Sequence, residues 1–216
     1  MSKRSVTPAQ RKRRIVRDTL LLAVILVVLV LALDFPILTA QQALKATQAR
    51  YFFGPGRVIT TLDYPRAYNL AKIGQYDRYY ILQDGDWYAW CGVNHYGLFW
   101  QTGGLDAVRN DPDRSLVPLV VSDWSNGAVL VISNDPEITQ VEVIFPIAAN
   151  STYTLFSTCG TNAVENCFLI SYTAPEQAYF VYPEDLQVKG YGADGTLLYR
   201  SPIPDEWAQY DFPSKS

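Results

Sequence analysis

A mainly β domain, an antiparallel sandwich or curved sheet, is predicted to follow an N-terminal transmembrane helix and one short juxtamembrane helix. Three observations lead there. The run TLLLAVILVVLVLAL, from Thr19 to Leu33, is apolar throughout and follows the cationic cluster Arg11, Lys12, Arg13, Arg14 and Arg17. From Val58 onward the apolar period switches to two, and aromatic and β-branched residues dominate. Gly, Asn, Asp and Pro recur between the resulting short runs, with no long helical pattern separating them.

The first element is the apolar run. A bilayer core is about 30 Å thick and a helix rises about 1.5 Å per residue, so roughly 20 apolar residues span it. Residues 19–33 alone are short. Extension through Phe35, Pro36, Ile37 and Leu38 reaches the required length and places Asp34 and Pro36 at the outer boundary. The predicted organisation is a basic cytoplasmic tail at 1–17, a transmembrane helix at 18–38, a juxtamembrane helix at 39–53 and an extracytoplasmic β domain at 54–216. A cleavable secretory signal is the alternative, since a basic flank, an apolar core and the small Ala40 also fit that pattern, although the large Leu38 in the −3 position opposes cleavage. Both readings export the rest of the chain, because Lys and Arg concentrate on the cytoplasmic flank of a first span. The predicted location is the cell membrane, single-pass, with the N-terminus cytoplasmic.

Charge divides the chain at the same place. Residues 1–34 hold seven Lys or Arg against Asp18 and Asp34, a net of +5; the remainder holds eleven against nineteen Asp or Glu, a net of −8, which together give the formal −3. The exported part is acidic, and no Lys or Arg occurs between Arg114 and Lys189. Nucleic acid is thereby excluded as a partner, because phosphate neutralisation needs a positive patch. The acidic surface is read as a solvated face.

Thr39-Ala-Gln-Gln42 has the form of a capping box and predicts a helix start. Ala43, Leu44, Thr47 and Tyr51 share one face of that helix, and Gly54-Pro55-Gly56 is expected to end it. Strands are then predicted at 78–82, 87–93 and 98–101, a meander with turns at 84–86 and 94–97. Further strands are predicted at 119–121, 128–132, 140–145, 153–157, 167–172, 179–182, 188–192 and 196–200. Residues 128–132 are apolar throughout and belong at the centre; Val141, Val143 and Phe145 alternate with Glu142, so that strand has one wet face. Asp194-Gly195 fits a two-residue type I′ hairpin, in which both positions need positive φ.

Candidate chemistry is sparse. Cys159 and Cys167 flank Gly-Thr-Asn-Ala-Val-Glu-Asn, and in an exported domain this spacing predicts a hairpin disulfide, with Cys91 left as a small buried residue. His95 is the only histidine and lies four residues from Cys91, the minimum for nucleophilic catalysis, but no Gly-x-Ser-x-Gly elbow and no Cys at a helix start accompany it. The acidic turns 84–86 and 110–113 are fragments of calcium loops without the full ligand count, and turn chemistry accounts for them. No catalytic residue, cofactor site or metal site is therefore assigned. The aromatic meander offers Tyr79, Trp87, Trp90, Tyr96 and Trp100 as candidate binding rings; either they stack on a ligand or they fill both sides of a covered sheet.

The stretches Leu38-TAQQALKATQARYFFGPGRVI, Asn134-DPEITQVEVIFP and Tyr191-GADGTLLYRS resemble a group of uncharacterised membrane-anchored extracytoplasmic proteins of Gram-positive, clostridia-like bacteria. The resemblance covers nearly the whole chain in layout through short motifs. It implies an exported β-rich domain and no known catalytic residue, and Cys159 and Cys167 are not part of it. The leading expectation is a non-enzymatic domain that contacts the bilayer through its N-terminal helix and an envelope protein through its surface. A glycan-binding module built on residues 79–100 is the alternative, and a hydrolase centred on His95 comes third.

Overall fold

The computed structural model describes residues 8–33, 37–71, 73–122, 126–149, 152–173, 175, 179–180 and 186–212. The expectations placed on Asp34, Phe35, Pro36, residues 181–182 and the start of the basic tail lie outside these residues. α1 (Pro8–Leu33) is followed by α2 (Ala40–Arg50), and then β1 (Arg57–Asp63), α3 (Tyr64–Ala71), β2 (Arg78–Asp84), β3 (Trp87–Tyr96), β4 (Phe99–Gln101) and β5 (Leu105–Arg109). The second half holds β6 (Leu116–Ser122), β7 (Asn126–Ser133), β8 (Gln140–Ala149), β9 (Thr152–Gly160), β10 (Ala163–Val164), β11 (Cys167–Thr173), β12 (Tyr179–Phe180), β13 (Gln187–Tyr191) and β14 (Leu197–Arg200), closed by a 3-10 turn at Asp205–Gln209. Every strand pair is antiparallel.

The strands form three sheets, one more than a sandwich requires. The first has the order β1-β2-β3-β4 with β5 also on β3, the second β10-β11-β7-β6, and the third β12-β8-β13-β14 with β9 on the other edge of β8. They stack with the second sheet in the middle. Leu130 and Ile132 pack with Tyr79, Ile81 and Trp90 of the first sheet, while Val129 and Val131 pack with Val141, Val143 and Phe145 of the third. This is why residues 128–132 carry no polar side chain: a strand covered on both faces has no wet position to fill. Among the described residues, Pro146 of β8 lies between the last pairing with β13, at Ile144, and the first with β12, at Ile147. A residue without an N–H suits that gap.

The outer face of the first sheet is covered by α2. The predicted capping box forms: Thr39 Oγ1 accepts from the Gln42 amide at 3.2 Å, and Gln42 Oε1 accepts from the amides of Thr39 and Leu38 at 3.1 and 2.9 Å. Ala43 and Leu44 bury against Leu82, Ala89, Cys91 and Val93. Thr47, the polar member of that face, is fully buried because its hydroxyl donates to Ala43 O at 2.8 Å and accepts from the Gly103 amide at 3.2 Å. The helix stops at Arg50, earlier than the Gly-Pro-Gly segment: Tyr51 caps it, half exposed, and Phe52 takes φ +56°.

Two further expectations are corrected. All three cysteines are unpaired, Cys91 and Cys167 buried and Cys159 exposed. The predicted bridge needed β9 and β11 to form one hairpin, but β9 pairs with β8, placing Cys159 opposite Glu142, and β11 pairs with β7, placing Cys167 opposite Ile132. The thiols therefore belong to different sheets. Around Asp194, only Gly195 has positive φ, at +82°, and Gly192 bonds across to Thr196, so the loop is longer than a type I′ pair.

α1 differs from everything after it. All its described side chains are exposed, including Leu20, Leu22 and Leu26. Among the described residues, no helix is long and apolar enough to cross a membrane. The helix as a whole has 26 residues, about 39 Å.

Candidate functional site

The aromatic residues singled out in the sequence do not form a platform. Tyr79 and Trp90 point into the core between the first and second sheets, 0% and 2% exposed, with ring centroids 5.1 Å apart. Trp87 and Tyr96 are exposed but open and close the same strand, about 30 Å apart along β3. Trp100 is half-buried between the guanidinium of Arg78, 5.3 Å from its centroid, and the ring of His95 at 5.0 Å. Stacking on a planar ligand needs adjacent free faces, and these rings offer none.

His95 and Cys91 likewise do not meet. They lie four residues apart on an extended strand, about 13 Å. Cys91 is fully buried under α2, and that burial pushes its thiol up to about 12, so it stays protonated and inert. The His95 amide donates to Asp77 Oδ2 at 2.7 Å. In the loop at 110–114, Asn134 Nδ2 donates to the carbonyls of Asp111 and Arg114 at 2.9 and 2.7 Å, and Asp111 Oδ1 accepts from the Asp113 amide. The loop oxygens thus close the turn. No cluster of three His, Cys, Asp or Glu suited to a metal occurs among the described residues.

A concave surface lies elsewhere, on the outer face of the third sheet. A groove of about 1020 Å³ runs between β8, β9 and β13 on one side and residues 203–212 on the other. Its apolar part is formed by Ile144, Leu155, Ile203 and Trp207. The C-terminal segment reaches this face because Ser201 bonds to Val188 through both backbone and side chain, while Gln187 Nε2 donates to Ser201 O at 3.0 Å. The 3-10 turn then lays Trp207 and Tyr210 over Ile144, and Tyr210 packs on Tyr153 with centroids 4.9 Å apart. Sequence reading passed over this element. Pro204 followed by Asp205 and Glu206, with aromatics three residues apart at 207 and 210, is the signal that marks a short helical turn.

One end of the groove is polar. Glu142, directly opposite Lys189 in the β8–β13 register, accepts from Ser157 Oγ at 2.5 Å, Tyr191 OH at 2.6 Å and Lys189 Nζ at 3.1 Å. Burial alone would raise its pKa, but the hydrogen bonds from Ser157, Tyr191 and Lys189 outweigh it and hold the carboxyl below its ordinary value. The same bond to Glu142, with burial second, pushes Tyr191 up to about 12. A carboxylate saturated by three donors is a poor base, and a depressed pKa is the reverse of what a general acid needs. The cluster stiffens the sheet where Glu142 was expected to meet water.

No curated protein and no solved structure matches the chain. A family described as a domain of unknown function, DUF5044, matches residues 36–210. The matched stretch begins just past α1 and runs through all three sheets to Tyr210, the last buried aromatic. The chain therefore belongs to the DUF5044 family.

Proposed function

We propose that the chain is a single-pass membrane protein in which α1 anchors the β domain at the outer face of the membrane, where the domain acts by binding, without enzymatic chemistry. The observation that carries this reading is α1 itself. Its described apolar side chains are exposed on every side, and a helix apolar all round is stable only within an apolar medium. The 15 residues from Thr19 to Leu33 cover about 22 Å, so the anchor draws on the residues after Leu33 or thins the bilayer locally. The basic cluster before it favours a cytoplasmic N-terminus. The groove on the third sheet supports binding as the mode of action, because it combines apolar area with a fixed polar end. Cys91 and His95 stand about 13 Å apart along β3, and the Glu142 carboxylate, held by three donors including Ser157, is weakened as a base.

The test is membrane extraction of the full chain. The protein is expected to stay with the membrane fraction through high-salt and alkaline carbonate washes, and to be released by detergent. Recovery of the full-length chain in the carbonate supernatant overturns the anchor. Recovery of a soluble product beginning at Gln41 establishes the cleaved-signal alternative instead.

A further inference from the structure

We infer that the β3–β4 hairpin tip is a second membrane contact, dipping Tyr96, Leu98 and Phe99 into the lipid interface beside the emerging anchor. The inference rests on the anchoring reading above and adds a surface to it.

The tip is apolar and open. Tyr96 is 73% exposed, Leu98 83% and Phe99 45%. Gly97 turns the chain at φ +61°, and a Cβ built there would touch nothing within 4 Å. Three large apolar side chains within four positions of one turn leave an exposed apolar patch of the kind that marks a contact surface.

The position of the tip identifies what covers it. The amide of Trp100, in the strand that leaves the tip, donates to Ile37 O at 2.8 Å, and Ile37 packs with Trp100 against the core under α2. Ile37 lies four residues past the end of α1. α2 runs antiparallel to β3: its start lies near Trp100, and beyond its end Gly54 and Gly56 crowd Asp84 and Gln83 at the opposite end of the sheet. The anchor therefore enters the domain at the pole that carries the tip.

The same pole carries Tyr64 and Tyr68 of α3, 43% and 47% exposed and stacked at 6.0 Å. They are held there by the Tyr64 amide bonding Asp77 O, while Asp77 in turn holds the His95 amide. Tyrosines around the exit of a span match the aromatic belt of a bilayer interface. The far pole is built differently: Asp84 and Asp86 at the β2–β3 turn and Asp111 in the loop bonded to it through the Asn110 amide and Asp86 O are polar, with Arg109 paired to Asp86 and Arg114 to Asp111. A lipid interface accepts the pole with exposed apolar and tyrosine side chains and not the one lined by ion pairs, so apolar area orients the domain.

The test uses the full chain carrying Cys159→Ser and Leu98→Cys, labelled with an environment-sensitive fluorophore and reconstituted into vesicles of phosphatidylcholine and phosphatidylglycerol. The unmodified chain labelled at the exposed Cys159 is the reference. Both proteins are expected to float with the vesicles; the label at 98 should be blue-shifted and quenched by lipid-borne nitroxides, while the label at 159 should report water. Flotation with an aqueous label at 98 overturns the hairpin contact and leaves the anchor standing. Failure to float overturns the anchor and the hairpin contact with it.

Discussion

Glu142 shows how a single position can be legible in its periodicity and still be misread in its role. Alternation with Val141 and Val143 placed it on the opposite face of β8, which is correct, but a wet face was expected and the side chain is instead bound by Ser157, Tyr191 and Lys189. Ser157 comes from the adjoining hairpin strand β9, but Lys189 and Tyr191 come from β13, and a pairing that distant leaves no local trace in the sequence. Because the folded carboxyl titrates below its ordinary value of 4.5, its contribution to stability is present above about pH 4.5 and is lost as pH falls through the folded value. Glu142→Gln should cost about 2 kcal/mol at neutral pH, and a series of denaturant midpoints should show the variant's deficit shrinking below pH 4.5. Gly92 owes its identity to a tertiary contact. A Cβ there would overlap the Tyr76 ring, which also crowds Gly103 and Gly104; Gly92→Ala should destabilise by about 1 to 3 kcal/mol in the same assay. The cysteines failed as a pair because sequence spacing says nothing of which sheet a strand joins. Thiol titration should find one reactive group in the native protein, Cys159, and three after unfolding without reductant.

At the level of elements, the signals that depend on neighbours in sequence were the dependable ones. Thr39 and Gln42 announced α2, and both halves of the box are made. Thr39→Ala removes the acceptor of the Gln42 amide and should lower stability by about 1 kcal/mol, read from a thermal or denaturant midpoint. Helix α3 was missed because Tyr64, Tyr68 and Leu70 resemble strand residues and Pro65 resembles a breaker, although Pro near the first turn of a helix is tolerated. β5 was missed because Gly103-Gly104 precedes it and charged residues interrupt it at 106 and 109. Its existence is owed to the free edge of β3, where Trp87 through Cys91 pair with Arg109 through Leu105. The aromatic meander was located correctly as strands. Tyr79 and Trp90, offered as binding rings, are inside because both faces of that sheet are covered, one by the second sheet and the other by α2, and Trp87, Tyr96 and Phe99 remain exposed beside its turns.

For the whole molecule, antiparallel β architecture was legible and the number of layers was not. The all-apolar stretch at 128–132 already implied cover on both faces, which two sheets cannot supply to a strand between them. The resulting stack is α2, three sheets and the C-terminal turn, with the groove on the last sheet and Ile37, four residues past α1, bonded to β4 of the first. The family match covers this stack and carries no statement about a bacterial group or an anchor. The central claim, that α1 holds the domain outside the membrane, is open to a direct test through the one exposed thiol. A membrane-impermeant maleimide applied to intact cells should label the protein at Cys159, and Cys159→Ser should abolish that labelling. Labelling that appears only after lysis would place the domain inside and contradict the account.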